Sequence, residues 1–322
     1  MIKEIVVATR ASKLATHQTN LVISSLREIE PGLKIRMDKV TTKGDRDSRP
    51  FYVINQTGVF EKEVNEKVLQ YKADFAVHSF KDLHAGISEK LVVACIPKRE
   101  RPNDVFINSI NNNKLHQLEK DSIIGTSSIR RAIQIRIKYP KLRVKSIRGN
   151  IETRINKSKE NQYSGIILAE AGIERLGMKN QITQRLSIQS FTPVPGQGAL
   201  AIVCRKDDKD LLKMLKRIEH KTSYKEIQAE RSLTESIGAG CTVPMGALAT
   251  LKNKDRLMTL FAVVYSLDGR KSIKVKKQYN AAYPRKLGQM VAEVLISKGA
   301  KEITKEWNNT SMNIDTLDEL IE

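Results

Sequence analysis

The alternation of short apolar strands with amphipathic helices is the feature that most constrains the fold of this chain. Ile5–Ala8 predicts a buried strand, and the apolar residues from Leu14 to Ile29 share one side of a following helix, which Pro31 and Gly32 end. The same order repeats, with strands expected at Ile35–Val40, Phe75–Val77, Leu91–Ile96, Ile123–Ile124, Leu142–Ile147 and Ile166–Ala169, and helices after Gly58 (Val64, Val68 and Tyr71 on one face), over 129–139 and from Ile151. This rhythm predicts an α/β protein with mostly parallel sheets covered by helices.

The charged stretch Lys98–Asp104 interrupts this rhythm, so the strands and helices before and after it predict two separate α/β domains. A third segment begins at about Thr222 and differs in its order of elements. It predicts a helix, then strands around Gly246–Thr250, over Leu257–Ser266 and up to Tyr279, with an Asp268-Gly269 hairpin turn, and a final helix near Arg285–Ser297. That order predicts a small C-terminal α+β domain.

Composition excludes several classes of protein. Of the 322 residues, 40% are hydrophobic and 29% charged, which is ordinary for a globular protein and unlike a disordered chain. No apolar run approaches the roughly 20 residues that span a bilayer, and the first ten residues do not form a secretory signal. We therefore expect a cytoplasmic protein without a membrane partner. Three scattered cysteines do not make a disulfide framework.

The chain is strongly basic, with a formal net charge of +20. Such a field attracts nucleic acid, acidic membrane surfaces or small ligands rich in carboxylate or phosphate. Part of the excess is lysine in polar loops, which is most simply a solvated surface. The clustering is more informative, because the stretch 127–160 holds eleven Lys and Arg residues but only two acidic ones.

Polar and cationic residues follow several predicted strands at the point where each strand ends. They are Arg10 and Ser12, then Ser79 and Lys81, then Gly125 to Ser128 with Arg130 and Arg131, and then Arg148, Gly149, Asn150 and Arg154. Ligands of parallel sheets bind at these carboxyl ends, and a helix N-terminus with hydroxyl groups and arginines suits an anion. Each group alone could be an ordinary helix cap with solvated arginines. Repetition at four strand ends favours a cleft that binds several carboxylates.

Asp82 lies among His78, Ser79, Lys81 and His84, which allows three interpretations. A metal site of His78, Asp82 and His84 lacks any strong ligand spacing, so we expect no metal. Asp82 could form a surface ion pair with Lys81, or it could act as a general acid and base on a bound ligand. The residues alone do not rank the last two.

Cys241 differs from the other two cysteines. Cys95 and Cys204 lie inside apolar strands, where a thiol is usually an inert filler. Cys241 stands in the glycine-flanked stretch Gly238-Ala-Gly-Cys-Thr-Val-Pro244, where small neighbours leave its sulfur accessible. That setting suits a nucleophile or a point of covalent attachment.

With these residues assembled, the chain resembles the porphobilinogen deaminase (hydroxymethylbilane synthase) family. Nine stretches carry the resemblance in the family's order: Ala8–Arg10, Asp74–Asp82, Arg99–Asp104, Gly125–Arg131, Arg148–Arg154, Ile166–Gly177, Pro195–Ala199, Ala229–Arg231 and Gly240–Pro244. One such motif would be weak, but the whole set covers most of the chain.

The resemblance implies an architecture of three domains: two periplasmic-binding-protein-like α/β domains flanking a cleft, plus a small C-terminal α+β domain. Domain 1 would be discontinuous, comprising 1–97 and 197–216. Domain 2 would cover 98–196 and domain 3 would cover 217–322.

The resemblance also implies the chemistry. A dipyrromethane cofactor, built from two substrate units, would be covalently attached through a thioether to Cys241. Four porphobilinogens would be added to it and released as hydroxymethylbilane, with loss of four ammonia molecules, in tetrapyrrole (heme) biosynthesis. The implied protein is a monomeric transferase whose product passes to uroporphyrinogen-III synthase.

Residue roles follow from the matching motif positions. Asp82 would be catalytic: it would protonate the departing amine, stabilise positive charge on the pyrroles and help to remove the ring proton. Cofactor-binding positions would be Cys241, Lys81, Ser79, Thr126, Ser128, Arg130, Arg131 and Asp104, and substrate-binding positions Arg10, Ser12, Arg148, Gly149, Arg154, Arg175 and Gln197. Each pyrrole brings two carboxylates, which a basic cleft would hold.

Two positions depart from the family pattern. The family usually has Gly-Gly-Lys-Gly-Leu-Phe in a lid loop, where this chain has Asn55-Gln-Thr-Gly-Val-Phe60, so Thr57 replaces the lysine. Lys62 or Lys43 could substitute for it. His84 replaces the usual proline. The Thr57 replacement predicts slower closure or weaker substrate binding than in a relative with the lysine.

Two other functions are compatible with a basic chain of this kind. A non-enzymatic receptor for anions could use the same kind of fold, but it would need neither a carboxyl group in its basic cleft nor an accessible thiol. A nucleic-acid binder is suggested by charge alone. Aromatic residues make up only 5% of the chain and no recognition helix, zinc site or basic zipper is present in the sequence, so we expect no nucleic-acid partner.

Overall fold

The computed structural model describes residues 4–46, 58, 60–84, 86–160, 162–238, 243–252 and 256–303. The chain divides into two compact units. Unit 1 comprises 1–48, 56–100 and 198–225, and unit 2 comprises 49–55, 101–197 and 226–322. The first unit is therefore discontinuous in sequence.

The elements follow one another in an alternating order. The first part of the chain forms β1 (Ile5–Arg10), α1 (Lys13–Ile29), β2 (Ile35–Val40), α2 (Lys43–Arg46), α3 (Lys62–Leu69), β3 (Phe75–Ser79) and β4 (Leu91–Cys95). The middle part forms β5 (Asp104–Ile107), β6 (Ile123–Gly125), α4 (Ile129–Lys138), β7 (Arg143–Lys145), α5 (Ile151–Lys157), β8 (Gly165–Ala169), α6 (Glu170–Arg175) and β9 (Gln184–Arg185). The last part forms β10 (Leu200–Arg205), α7 (Lys209–Lys216), α8 (Lys221–Ile237), β11 (Met245–Leu251), β12 (Leu257–Tyr265), β13 (Ser272–Asn280) and α9 (Pro284–Ser297). Short 3-10 turns lie at Phe80–Asp82, Leu115–Gln117 and Lys179–Gln181.

The sheet of unit 1 has the strand order β2-β1-β3-β10-β4. β1 pairs in parallel with both β2 and β3, whereas β10 runs antiparallel to β3 and β4. Four of the five strands therefore point the same way. Helix α1 buries Val22, Ile23 and Leu26 against this sheet, and each such side chain contributes about 1.5–3 kcal/mol through loss of apolar surface from water.

The main sheet of unit 2 repeats this plan with the order β7-β6-β8-β5-β9. β6 is parallel to β7 and β8, and β5 is the reversed strand. Reversal brings the first residue of β5, Asp104, opposite Ala169 at the end of β8. The start of a reversed strand thus lies at the edge where the parallel strands end.

Unit 2 also contains the three-stranded antiparallel sheet β11-β12-β13 with α8 and α9 against it. Leu260 and Val264 of the sheet pack with Leu287 and Val291 of α9 in a fully buried cluster. The predicted hairpin turn is present, and Gly269 has a φ of 70° there, a conformation that favours glycine. The predicted order of the C-terminal segment is confirmed.

The α/β class and the mostly parallel sheets are confirmed, but some local predictions are wrong. Tyr71 does not share the buried face of α3: the helix ends at Leu69, and Tyr71 has a φ of 58° and is 72% exposed, with the Arg205 guanidinium 4.5 Å from its ring centroid. The strand expected over 142–147 is limited to β7 because the Ile147 amide donates to the Ser127 hydroxyl, at 3.1 Å. The three-domain division remains a prediction.

Candidate active site

In unit 1, the predicted site residues lie at the carboxyl ends of adjacent parallel strands. Arg10 ends β1, and Ser79 ends β3 next to it. Ser12 caps α1, where its hydroxyl accepts from the Ala15 amide at 3.3 Å. Lys81 follows in the 3-10 turn after β3. The structure therefore brings these four polar groups to one edge of the sheet.

Asp82 ends that 3-10 turn. The flanking apolar residues Phe80 and Leu83 are buried, and the Leu83 amide donates to the Phe80 carbonyl at 3.0 Å. Lys81 and Asp82 between them remain half-buried. The turn is thus anchored by its apolar residues, and its two charged side chains are left at the sheet edge.

Arg10 has partners within unit 1. Its guanidinium is paired with the Asp45 carboxylate, with Nε 3.3 Å from Oδ2, and its Cζ lies 4.1 Å from the centroid of the Phe60 ring. Burial alone would raise the pKa of Asp45, but the charge and hydrogen bonds of Arg10, together with hydrogen bonds from Thr42, lower it overall. A ligand carboxylate at Arg10 would share the guanidinium with Asp45.

His78 and Ser79 are held by neighbouring polar side chains. His78 Nε2 lies 2.9 Å from Oδ1 of Asn65. Burial, reinforced by the charge of Arg10, lowers the pKa of His78 to about 4, so the ring is neutral near pH 7. Ser79 Oγ accepts from Gln18 Nε2 at 2.9 Å. These bonds fix the end of β3 next to Asp82.

In unit 2, Thr126 and Ser128 lie in the turn that joins β6 to α4. Ser128 is the N-cap residue of α4, and its amide donates to the Thr126 hydroxyl at 3.2 Å. Ser127 between them is buried, and its hydroxyl lies 2.7 Å from the carbonyl oxygen of Ile147 and 3.1 Å from the amide nitrogen of the same residue. The turn before α4 is therefore tied to the loop that carries Arg148.

Arg130 and Arg131 point into the protein, where they surround Asp104. Arg131 donates from Nε and Nη2 to Asp104 Oδ1 at 3.1 and 2.7 Å, and Arg130 Nη1 lies 2.9 Å from Oδ2. Burial would raise the pKa of Asp104, but the two guanidiniums hold it well below its ordinary value. Gln197 joins the cluster, with Nε2 donating to Asp104 Oδ1 at 2.9 Å.

This cluster bears on the expected roles of its members. Both arginines are more than 90% buried and are paired with an ionised carboxylate. Their direct binding of a ligand carboxylate stays a prediction. The packing supports a role in which Asp104 and Gln197 fix the direction of the two guanidiniums.

Arg148 lies in the loop after β7, and Arg154 lies on α5, which follows that loop. Gly149 has a φ of 118°, and a side chain there would bring its Cβ within 2.7 Å of Thr153 Cγ2. The Gly149 carbonyl accepts from Arg154 Nε at 2.8 Å, while Asn150 caps α5 by accepting from the Thr153 amide at 2.8 Å. Arg148 and Arg154 are half-buried at the same edge of the sheet.

Arg175 is buried at the end of α6, which follows β8. Cys95 and Cys204 are buried fillers as expected, and burial raises the pKa of Cys95 and raises the pKa of Cys204 to about 12. Cys241 and Thr57 lie outside the described residues.

Two negative findings apply to the described residues alone. No group of three or more His, Cys, Asp and Glu side chains among them could hold a metal ion. None of the helices found there is long and apolar enough to cross a membrane.

Sequence reasoning missed three residues that support the site. Asp45 follows β2 in the stretch Thr-Lys-Gly-Asp, and its place at the end of a third parallel strand was an available signal. Ser127 is flanked by two predicted site residues, but the sequence gives no sign that its hydroxyl turns inward. Thr192 acts through its backbone carbonyl, which accepts from Arg130 Nη1 at 2.7 Å, and no sequence signal marks such a contact.

Two family models match this chain in tandem. The model described as porphobilinogen deaminase, dipyromethane cofactor binding domain, matches residues 5–213. The chain belongs to the porphobilinogen deaminase family. A second model, porphobilinogen deaminase, C-terminal domain, matches residues 224–297.

Curated relatives named as porphobilinogen deaminases align with nearly the whole length of this chain. The probable porphobilinogen deaminase of Nitrosopumilus maritimus is 46% identical over 312 residues, covering 95% of this chain and 99% of the relative. The porphobilinogen deaminase of Staphylococcus carnosus is 38% identical, covering 96% of this chain and 100% of the relative, and that of Bacillus cereus strain AH187 is 41% identical, covering 94% and 97%. A solved methionine-binding protein, MetQ, gives a TM-score of 0.43 at 12% identity over 69% of this chain and 90% of that chain.

The cofactor of this family is dipyrromethane. Its pyrrole rings carry acetate and propionate groups, so residues that fit it must be donors and cations. The strand ends of unit 2 supply the N-terminus of α4, the Thr126 and Ser128 hydroxyls and the half-buried Arg148 and Arg154. Such donors suit carboxylates. The residues present therefore fit the group.

Proposed function

We propose that this protein is a hydroxymethylbilane synthase, a transferase of tetrapyrrole biosynthesis. It condenses four porphobilinogens onto a dipyrromethane cofactor held by a thioether to Cys241, with loss of one ammonia molecule at each addition. Water then cleaves the bond between the cofactor and the new tetrapyrrole, which leaves as hydroxymethylbilane. The observation that carries the proposal is the position of Asp82 at a sheet edge among cation and hydroxyl donors, in a chain that belongs to the porphobilinogen deaminase family.

Each condensation joins the aminomethyl carbon of porphobilinogen to a free pyrrole carbon. The C–N bond of porphobilinogen breaks, the amine leaves as ammonia, and the pyrrole ring carbon that forms the new C–C bond loses its proton. When bound, dipyrromethane supplies the pyrrole carbon at which growth begins. Asp82 gives a proton to the departing amine and takes one from the ring carbon, so its protonation state is restored after each addition.

The cationic groups bind the substrate through its side chains. Each porphobilinogen adds two carboxylates, so the negative charge of the bound chain rises with every addition. A charge-assisted hydrogen bond contributes about 1.5–3 kcal/mol, and several are needed to hold a lengthening polyanion. Arg10, Arg148, Arg154 and Arg175 are the proposed substrate-binding arginines, with Ser12, Gly149 and Gln197. The proposed groups that hold the cofactor are Ser79, Lys81, Thr126, Ser128, Arg130, Arg131 and Asp104.

The proposal includes the setting of the reaction. The protein works as a cytoplasmic monomer without a nucleic-acid or membrane partner, and uroporphyrinogen-III synthase consumes its product. The three predicted domains divide the task, with Asp82 in domain 1, the basic carboxylate-binding face in domain 2 and the attachment cysteine in domain 3.

The intact mass of the purified protein, before and after addition of porphobilinogen, tests the proposal. We expect wild type to carry two pyrrole units and to show stepwise further additions with substrate. Cys241→Ala should carry none. Cys204→Ala, which removes a buried thiol, serves as the matched control and should behave like wild type. Folded wild type that gains no mass from porphobilinogen would leave an anion-binding protein instead.

A further inference from the structure

The segment from Thr192 to Gln197, here the 192–197 segment, makes contacts at both of its ends within unit 2. The Thr192 carbonyl accepts from Arg130 Nη1 at 2.7 Å and from Gln134 Nε2 at 3.0 Å. At the other end, Gln197 Nε2 donates to Asp104 Oδ1 at 2.9 Å. The segment therefore touches the buried cluster of Asp104, Arg130 and Arg131 twice.

The same segment is bound to the C-terminal sheet and to α8. The Ala247 amide of β11 donates to the Pro193 carbonyl at 2.8 Å. Glu230 of α8 is fully buried, and its two carboxylate oxygens accept from different backbone amides: Oε2 from Gly196 at 2.6 Å and Oε1 from Ala249 of β11 at 2.9 Å. One carboxylate thus joins a helix, a strand and the 192–197 segment.

Glu230 connects two elements that lie on opposite sides of Cys241 in the sequence. α8 carries Glu230 and ends at Ile237, four residues before Cys241. β11 begins at Met245, four residues after Cys241, and contains Ala249. The carboxylate that holds the 192–197 segment therefore also connects the two elements that lead into and out of the stretch with the attachment cysteine.

We propose that Glu230 is a positioning residue for the cofactor. It fixes the two elements that flank Cys241 relative to Gln197, and through Gln197 relative to Asp104 and Arg131. The inference rests on the proposed function, since it assumes that Cys241 holds the group that these residues bind. Glu230 acts only through other residues and is not itself catalytic.

A carboxylate is required at this position because both of its oxygens are acceptors. The neutral amide of Gln has nearly the same shape, but its nitrogen is a donor, and this donor would face one of the two backbone N–H groups. Glu230→Gln therefore removes one of the two bonds without opening a cavity. A buried N–H without an acceptor is destabilised, so the segment next to it opens more often.

Glu226→Gln is the matched control. Glu226 lies one turn earlier on α8, and its Oε1 accepts from the Leu251 amide of the same strand, β11, at 3.0 Å. The amide oxygen introduced by Glu226→Gln can still accept from the Leu251 amide, so the control removes a carboxylate charge from α8 and retains the bond from Gly196 to Glu230. Glu230→Ala is made as well, so that complete loss of the carboxylate is compared with its conversion to an amide.

Two readouts are measured on protein prepared without cofactor. The first is hydrogen exchange in peptides covering 193–199 and 243–250, and the second is the rate at which two pyrrole units appear in the intact mass after porphobilinogen is added. For Glu230→Gln we expect about tenfold faster exchange in at least one peptide and about tenfold slower cofactor loading, with a melting temperature close to that of Glu226→Gln. In the fraction that becomes loaded, kcat should fall while KM for porphobilinogen stays within about twofold of wild type.

The proposal is overturned if Glu230→Gln loads cofactor at the wild-type rate, or if Glu226→Gln slows loading as much, because α8 would then have a general structural role only. Should Glu230→Ala not fold, the comparison of the two Gln variants decides alone. If wild type itself acquires no pyrrole units, the proposed function fails and the role toward the cofactor fails with it. The exchange data then still show whether Glu230 holds the 192–197 segment, so the two failures are told apart.

Discussion

Arg131 donates two hydrogen bonds to a single oxygen of Asp104, at 3.1 Å from Nε and 2.7 Å from Nη2, in an interior where Asp104 is fully buried. Arg130 completes the cluster on the other carboxylate oxygen. A buried charge is stable only when its partners are present, so this cluster makes the strand edge of unit 2 depend on one acidic residue.

Asp104→Asn should destabilise the protein strongly. It leaves two buried guanidiniums without their counter-charge, and breaking a buried pair in this way costs about 3–5 kcal/mol of unfolding free energy. Chemical denaturation measures the loss. Glu235→Gln is the control, since Glu235 pairs with Arg231 and Arg285 at a partly exposed site, where the expected loss is below about 1 kcal/mol.

The loss of unfolding free energy in Asp104→Asn should depend on pH. The pKa of Asp104 is lower in the folded protein than its unfolded value of about 3.9, so its contribution to stability is complete above that pH. The contribution is lost as the pH falls from there toward the folded-state pKa. The stability difference between wild type and Asp104→Asn should therefore be constant near neutral pH and shrink below about pH 4. A difference that grows on acidification would contradict the ionised cluster.

The cluster also shows what the sequence could and could not predict. The strand β5 was missed because only Val105, Phe106 and Ile107 are apolar and charged residues precede them. Its reversed direction, which places Asp104 at the strand edge, follows from pairing with distant β8 and β9. Periodicity carries no information about such pairing.

The positions of other site residues could be predicted from the sequence because they depend on local patterns. Arg10 and Ser79 end strands whose apolar pattern is clear, so their common edge follows from parallel pairing. The inward direction of Arg130 and Arg131 could not be predicted from the sequence. Two arginines at the start of a helix can equally well extend into solvent or pair with a buried carboxylate. The periodicity that predicts α4 does not reveal that Asp104 lies opposite.

Ser127→Ala should weaken substrate binding more than it slows turnover. The Ile147 amide loses its acceptor, which costs about 1–3 kcal/mol, and the loop that carries Arg148 becomes less well held. We expect KM for porphobilinogen to rise about threefold or more with kcat changed less. Ser158→Ala, which removes another buried hydroxyl, one that donates to the Ile155 carbonyl at 2.7 Å, is the control for stability. Equal KM values in the two variants would argue that the contact between Ser127 and Ile147 does not affect substrate binding.

Asp82→Asn should remove proton transfer and retain the fold. Phe80 and Leu83 anchor the 3-10 turn, so the amide occupies the same half-buried place. General acid and base catalysis is worth about 10²–10⁴ in rate, and we expect kcat to fall within that range with KM changed by less than about threefold. Asp38→Asn, on β2 with Lys67 3.1 Å away, is the control carboxylate and should retain activity. A kcat near the wild-type value would favour the simple ion pair with Lys81.

The thiols should differ in reactivity. Burial raises the pKa of Cys204 to about 12 and raises that of Cys95 as well, so neither forms much thiolate near pH 8. Iodoacetamide should therefore label one thiol per folded chain without cofactor, at Cys241, and none once the thioether is formed. Peptide mass mapping identifies the labelled site. Comparable labelling of Cys95 or Cys204 in folded protein would contradict their buried placement.

Thr57→Lys should strengthen substrate binding. The prediction rests on the sequence, because Thr57 lies outside the described residues and stands where the family usually has a lysine. A new charge-assisted contact to a carboxylate is worth about 1.5–3 kcal/mol, which corresponds to a fall in KM of roughly tenfold or more. Thr57→Gln supplies similar length without charge and separates the two effects. If the Lys and Gln variants both match wild type in KM and kcat, Lys43, Lys62 or another group already supplies the contact, and the replacement at position 57 has no cost.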